Sequence, residues 1–373
     1  MLTARSDGRN RPPTRTMGDM TDAPATPYLA VDLDVLSRNL ENTARWARAR
    51  GLRLRPHAKT HKSPEIARRQ IESGAVGLTV ATLAEGEIFS RAGATDLFVA
   101  YPVWAAGERG ARLRALAQGV ALRVGVDSAE GAQHLGIALA GTSASVMVEV
   151  DSGMRRTGVA PGEVLEVARA ADRAGVRVAG VFTFPGHGYA PGGAAQAAAD
   201  EATALAKAAD ILRGNGFDDL ELGGGSTPTL AHSDATVLTE VRPGVSVFND
   251  AQQVELGTCG WEDVALTAVG TVVSRGDGRF VLDAGGKVLG ADRPGWATGA
   301  GRVPAMPDAR VVLLSEHHAV VELPAGETLP ELGDRVAVAP NHVCAAANLA
   351  REYVVTMGGR VTRWPITAAG ANT

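Results

Sequence analysis

Between Arg53 and Arg242 the chain alternates short apolar runs with longer segments of helical periodicity, and it does so eight times. Strand-like runs fall at 53–58, 76–80, 96–101, 120–126, 145–150, 177–184, 219–222 and 239–242. Helical patterns fill the gaps at 65–73, 83–92, 108–118, 129–140, 162–174 and 194–213, with a weaker one after Thr227. Few architectures accept that pattern. A strand followed by a crossover helix builds a parallel sheet, and eight such units close into a barrel more readily than they extend an open doubly wound sheet. The expected fold class is α/β, a (β/α)8 TIM-like barrel. A short strand at 28–32 and a helix running from Asp34, its expected cap, to about Arg50 come first. The alanine-rich 194–213 segment reads as outer packing, since its composition follows helix propensity and carries no chemistry.

Near Gly257 helical periodicity fades. Short alternating segments follow at 265–274, 279–283, 310–314, 319–322, 335–339, 351–357 and 360–364, separated by Pro and Gly turns. The chain therefore divides into a mobile leader at 1–26, a barrel at 27–256 and a C-terminal all-β domain at 257–373. The leader has arginines and prolines but no apolar core, so it does not read as a signal peptide, and Met17 or Met20 could be the start. No apolar run reaches membrane-spanning length. With 37 Lys+Arg against 41 Asp+Glu, no long basic run and 4% aromatics, the composition argues against nucleic acid as a partner. Two cysteines, Cys259 and Cys344, cannot make a disulfide framework, which points to a reducing, cytoplasmic setting.

Chemistry concentrates where a barrel keeps it, at the C-terminal ends of strands. In Arg55-Pro56-His57-Ala58-Lys59-Thr60-His61-Lys62 a strand delivers Lys59 to its end, and the neighbouring cations are expected to lower its pKa and free the amine for Schiff-base chemistry. The seventh strand ends in Gly223-Gly224-Gly225-Ser226-Thr227 and the eighth in Arg242-Pro243-Gly244. Glycines there would let the backbone approach an anion, with Ser226 and Thr227 offering hydroxyls and amides, at the two strands where barrels place phosphate. After the fifth strand, Arg155 or Arg156 could meet a cofactor oxygen or a substrate carboxylate, or form a rim ion pair with Asp151. After the sixth, a tight turn exposes His187 and Tyr189 as possible cofactor contacts. In the β domain, His342 and Cys344 stand two apart. On an extended backbone they would share a face and could converge on one metal, zinc by donor set, unless they are simply a buried cysteine beside a hydrogen-bonded histidine. Glu316-His317-His318 could supply a further acid/base group. A lysine, a phosphate cradle and a barrel together suggest pyridoxal phosphate.

Arg55 to Lys62, Gly224-Gly225-Ser226-Thr227-Pro228-Thr229, Arg242-Pro243-Gly244 and Pro340-Asn341-His342-Val343-Cys344 occur in this order, and together they resemble the D-serine dehydratase / D-threonine aldolase family. The match runs from about Tyr28 to Met357. The resemblance implies the alanine-racemase-type fold of the fold type III pyridoxal-phosphate enzymes, a barrel followed by a β domain. It implies Lys59 as the Schiff-base lysine and His342 and Cys344 as ligands of a divalent metal. Arg156 should face the cofactor ring oxygen, and His57, Tyr189, Gly224, Gly225, Ser226, Thr227 and Gly244 should contact the cofactor. It further implies a homodimer with the site near the subunit interface, and a small amino-acid substrate. Phe182 stands where dehydratases tend to carry tyrosine, Ser246 where an aromatic is common, and Ala345 replaces a frequent proline. Glu316-His317-His318 also alters a Glu-Glu-His-Gly-like turn, and these departures bear on the substrate. The expected activity is lyase chemistry on a β-hydroxy-D-amino acid, first of all D-serine dehydratase-like elimination to a 2-oxo acid and ammonia. A D-threonine aldolase-like cleavage is the alternative, since aldolases of the family pair His with Asp where this chain has Cys344. An amino-acid racemase or a non-catalytic pyridoxal-phosphate carrier are the remaining readings.

Overall fold

The structure, a computed structural model, describes residues 24–373. Most of the expected leader, with Met17 and Met20, lies outside the described residues. Its last residue, Thr26, is tied down, its hydroxyl donating to Asp283 Oδ2 at 2.6 Å.

The first strand, β1 (Tyr28–Asp32), does not join the barrel. Eight parallel strands form the barrel: β2 (Arg53–Leu54), β3 (Leu78–Val80), β4 (Asp96–Pro102), β5 (Ala121–Val126), β6 (Ser145–Glu149), β7 (Arg177–Phe182), β8 (Glu221–Gly224) and β9 (Glu240–Val241). They follow one another in order, and β9 returns to pair with β2. The ring closes between β2 and β3, where Val76 N–H donates to Leu54 O and Thr79 N–H to Pro56 O, both at 2.9 Å, and His57 bridges Thr79. The β2 ladder is shorter than the expected 53–58: Arg55 N–H still donates to Val241 O and His57 N–H to Pro243 O, but Pro243 has no N–H to return to Arg55 O. The helices fall where periodicity placed them, except that the segment after Thr227 holds only the single 3-10 turn Leu230–His232. The helix Leu33–Ala49 is capped two residues earlier than expected, by the last residue of β1: Asp32 Oδ1 accepts from the amides of Asp34 and Val35, and Asp34 sits in the first turn, where its charge suits the helix dipole.

The barrel interior is layered. Toward the N-terminal ends of the strands, Arg55 is buried between Glu240 at 2.9 Å and Asp96 at 2.7 Å, and Arg123 bridges Asp96 and Glu221. Such charges survive burial only because each has a partner. Above them lies the apolar plug Phe98, Met147, Ala179 and Phe182. The cavity described below opens at the other end.

The second sheet contains β10 (Leu266–Gly276), β11 (Arg279–Leu282), β12 (Arg310–Leu314), β13 (Ala319–Glu322), β14 (Arg335–Val338), β15 (Glu352–Met357) and β16 (Arg360–Pro365). All seven coincide with the expected alternating segments. β1 lies inside this sheet, antiparallel to β10 and parallel to β15. Its Leu29 and Val31 pack with Leu36 and Leu40 of the following helix, with Phe248 and with Tyr353 in one core. The chain thus starts in the C-terminal sheet, builds the barrel and returns. Among the described residues no helix is long and apolar enough to cross a membrane.

Candidate active site

A cavity of about 500 Å³ sits at the C-terminal end of the barrel, walled on one side by the β domain. Of the residues singled out from sequence, it gathers His57, Lys59, Tyr189, Ser226, Thr227, Gly244, His342 and Cys344 along its walls. Gly224, Gly225 and Arg156 are not on its lining.

Lys59 lies in a 3-10 turn, Ala58–Thr60, that follows the end of β2; its own amide reaches back to His57 Nδ1 at 3.4 Å. Its pKa is lowered, first by burial and secondarily by Arg156, while Cys344 and Glu85 oppose the shift. The expected crowd of cations is not the cause. Arg55 is turned into the barrel floor, and Lys62 is buried in an ion pair with Glu85 at 2.8 Å. His61 spends both ring nitrogens locally: Ser63 N–H donates to Nδ1 and Nε2 faces Gln70 Oε1 at 3.2 Å. Burial pulls its pKa down to about 4, so it stays a neutral structural imidazole. His57 is likewise held far below its ordinary value, mainly by burial and then by Lys59.

The glycine run performs a different task from the one its sequence suggested. A Cβ on Gly223 would lie 2.2 Å from Arg242 Nη1, and one on Gly224 would lie 2.3 Å from Glu201 Oε1. Two of the three glycines therefore make room for buried side chains. Gly225 turns the chain at φ +80°, and its N–H donates to Glu201 Oε1 at 2.7 Å. Ser226 and Thr227 are the residues of this loop that reach the cavity. Thr227 Oγ1 accepts from Ser246 N–H at 3.1 Å, joining the loop after β8 to the loop after β9. In that second loop a Cβ on Gly244 would come 2.7 Å from Thr60 Oγ1 and 3.2 Å from the Cβ of His57. Only glycine lets this loop lie against the lysine turn.

Arg242 was named in the sequence motif but not as a site residue. It forms the cavity floor, its guanidinium 5.2 Å from the Phe98 ring centre and 5.1 Å from that of Phe182, with Nη2 donating to Thr183 O at 2.8 Å. Its Nη1 is buried without a hydrogen-bond partner. Arg156 stands behind Phe184: its Cζ is 5.2 Å from that ring centre and Lys59 Nζ is 5.5 Å from it. His187 pairs with Asp200 at 3.2 Å and leaves the cavity lining, and Glu316 is an exposed partner of Lys287.

His342 and Cys344 converge, but not through strand alternation. His342 is the N-cap residue of the helix Val343–Leu349 and Cys344 lies in its first turn. Burial raises the Cys344 thiol, yet His342, Lys59 and Thr60 outweigh it and the net pKa is lowered. Burial lowers His342 in turn, and Cys344 and Asp250 override it, so the imidazole is raised. Asp250 is the residue that pattern reading missed. It is fully buried, Oδ2 stands 3.5 Å from His342 Nδ1 and accepts from Val343 N–H at 3.1 Å, and Oδ1 caps the helix Ala251–Glu255 through Gln253 N–H. Its position between Asn249 and a helix start is the signal that was available. Among the described residues no three or more His, Cys, Asp and Glu side chains are arranged to hold a metal ion together, so side chains would supply two donors to an ion and leave its other positions open.

These residues fit pyridoxal phosphate. The cavity presents a buried, readily deprotonated amine, loops after the seventh and eighth barrel strands held close by glycine, and an unpartnered buried guanidinium nitrogen. Fold and site together define a fold type III pyridoxal-phosphate enzyme. Residues 31–252 match the alanine racemase N-terminal domain family and residues 265–356 a serine dehydratase domain family, and the chain belongs to the former. It is 33% identical to the D-threo-3-hydroxyaspartate dehydratase of Delftia sp. (strain HT23), over 91% of this chain and 96% of that one. It is 32% identical to the D-threonine aldolase of Arthrobacter sp., over 96% of each. The solved structure of the Delftia dehydratase superposes with a TM-score of 0.86 at 31% identity, covering 93% of this chain and 98% of that one. A cysteine-to-alanine variant of that enzyme has been solved in a form described as metal-free.

Proposed function

We propose that the protein is a metal-assisted lyase that eliminates the β-hydroxyl of a β-hydroxy-D-amino acid, giving a 2-oxo acid and ammonia. The observation that carries this reading is that Lys59 from the barrel and the His342/Cys344 pair from the β domain line the same cavity. Bound pyridoxal phosphate provides an electron sink for the bond broken at Cα. A divalent ion, zinc by the character of an imidazole and a thiolate, provides positive charge for a departing hydroxyl.

The chain's own residues do the rest. Lys59 is the cavity's sole lysine, and burial keeps its amine available to join the coenzyme and then to take the α-proton. Ser226, Thr227 and Gly244 form the phosphate cradle, with Arg242 beneath. Tyr189, whose phenol burial holds protonated, remains a hydrogen-bond donor toward the coenzyme. Asp250 Oδ2, 3.5 Å from His342 Nδ1, would orient the ring so that its other nitrogen can face an ion. The resemblance favours a homodimer, which sedimentation would measure, and two free thiols suit a reducing compartment.

The deciding experiment incubates D- and L-serine, threonine and 3-hydroxyaspartate with the holoenzyme, with and without chelator, and measures keto acid, ammonia, glycine and the D/L ratio of the remaining amino acid. Keto acid and ammonia from D-substrates, lost on chelation, are expected. Glycine plus aldehyde would instead make it a retro-aldol enzyme, interconversion of D- and L-forms that survives complete chelation a racemase, and no turnover at all a carrier.

A further inference from the structure

We infer that Arg293 is a specificity-determining residue that receives a carboxylate on the β-carbon of the substrate, so that 3-hydroxyaspartate-type dicarboxylates are preferred over serine and threonine. The inference deepens the proposed lyase reading and rests on it for the identity of the β-hydroxyl.

Arg293 lies in the loop between residues 290 and 300 and lines the cavity mouth together with Asp292 and Pro294. Two contacts register this loop against the turn that carries His342 and Cys344. On the N-terminal side of that turn, Asn341 is buried and its Nδ2 donates to Asp292 O at 3.1 Å and to Gly299 O at 2.8 Å, pinning both ends of the loop. On the other side Gly290, at φ +76°, lies so close to the helix that a Cβ there would come 2.8 Å from the Cβ of Ala345. The residues flanking His342-Val343-Cys344 therefore touch the loop on both sides. A β-hydroxyl drawn to an ion on His342 and Cys344 would bring its own carbon toward this loop, where Arg293 could meet the remaining group on that carbon.

Charge agrees with geometry. Among the described residues the Arg293 guanidinium has no ion pair or hydrogen bond, not even with Asp292 beside it, whereas Arg242 and Arg156 are engaged with the floor and with Phe184. A planar guanidinium matches a carboxylate through two parallel hydrogen bonds, and it has nothing comparable to offer the methyl of threonine or the hydrogen of serine.

The test compares wild type, Arg293→Ala and Arg293→Lys as holoenzymes in two ways. In turnover, Arg293→Ala should lower kcat/KM for D-threo-3-hydroxyaspartate about tenfold or more, leave D-serine and D-threonine within about threefold, and be partly rescued by lysine. In binding, the dissociation constants of two unreactive analogues, tartrate with two carboxylates and glycerate with one, should show tartrate alone weakened by the same factor. Equal losses on both would mean that Arg293 holds the carboxylate shared by all amino acids, and no loss on either would make it a bystander; each overturns the inference. If wild type turns over none of the substrates, the lyase reading fails, while the tartrate and glycerate titrations still decide the role of Arg293.

Discussion

At the scale of single residues, the site works by letting burial and one specific neighbour oppose each other. Lys59 is pushed toward its neutral form by desolvation and Cys344 toward its charged form by His342, so a base and an anionic donor coexist in one cavity. Replacing Lys59 with alanine should reduce turnover by at least about 10²–10⁴-fold, the range attributed to a positioned acid or base. Borohydride reduction followed by mass spectrometry provides the sharper check: the coenzyme should be fixed to wild type at Lys59 and to no residue of the variant. Asp250→Ala should leave Lys59 labelling intact but weaken metal affinity about 10–100-fold, read by competition with a chromophoric chelator, because the carboxylate orients the imidazole without being a donor itself. That Lys59, His342 and Cys344 would line one cavity was legible because each stands in a short motif at an expected strand end or turn. The cause of the lysine's shift was not, since burial is set by the Phe184 ring and the β domain and not by the cations next to it in the chain. Asp250 escaped for the same reason: its partner is about ninety positions away.

Among the elements, the helix Ala194–Arg213 shows how composition misleads. Its alanines do belong to the outer helical layer, with Ala204, Ala208 and Ala209 buried against the strands, yet Glu201, fully buried on the same inner face, accepts the Gly225 N–H and holds the strand-end loop in place. Burial raises its carboxyl from 4.5 to about 7, against the opposing pull of the Gly225 amide and Arg242. The native state thus holds a proton that the unfolded chain releases between those values. Its contribution to stability is full below about pH 4.5 and disappears as pH rises through about 7, on the order of 3 kcal/mol at most. Glu149, raised to about 7 by its own burial, adds a slope of the same sign. Glu201→Gln, which keeps shape and hydrogen bond but cannot ionise, should therefore flatten part of the decline. Urea midpoints at pH 5 and pH 8 should differ less in the variant than in wild type, and equal differences would remove Glu201 from the account. The glycine run was visible in the sequence, but its purpose needed the helix: Gly224 is small because Glu201 is there.

For the whole molecule, the alternation of strand and helix and the change of texture near Gly257 were enough to anticipate both sheets, because each follows a local period. What no local period encodes is that β1 leaves the barrel and enters the other sheet, with partners in β10 and β15 more than 200 residues away. That pairing makes the two domains one folding unit. A chain ending at residue 256 would leave both edges of β1 without hydrogen-bond partners and uncover Leu29, Val31, Leu36 and Phe248. It would also free the lysine turn, which Tyr353 steadies through its hydroxyl on His61 O at 2.7 Å and Ala368 through its N–H on Lys62 O at 3.0 Å. The fragment 1–256 should accordingly fail to give a soluble, cooperatively folded barrel. The full chain, although larger than proteins that ordinarily unfold in one step, should melt in a single transition whose calorimetric and van't Hoff enthalpies agree. Tyr353→Phe should lower that transition without splitting it, by about 1–3 kcal/mol for one buried acceptor left unmet. Two separate transitions in wild type, or a fragment that folds alone and binds the coenzyme, would show that the barrel carries its lysine turn without help from the second sheet.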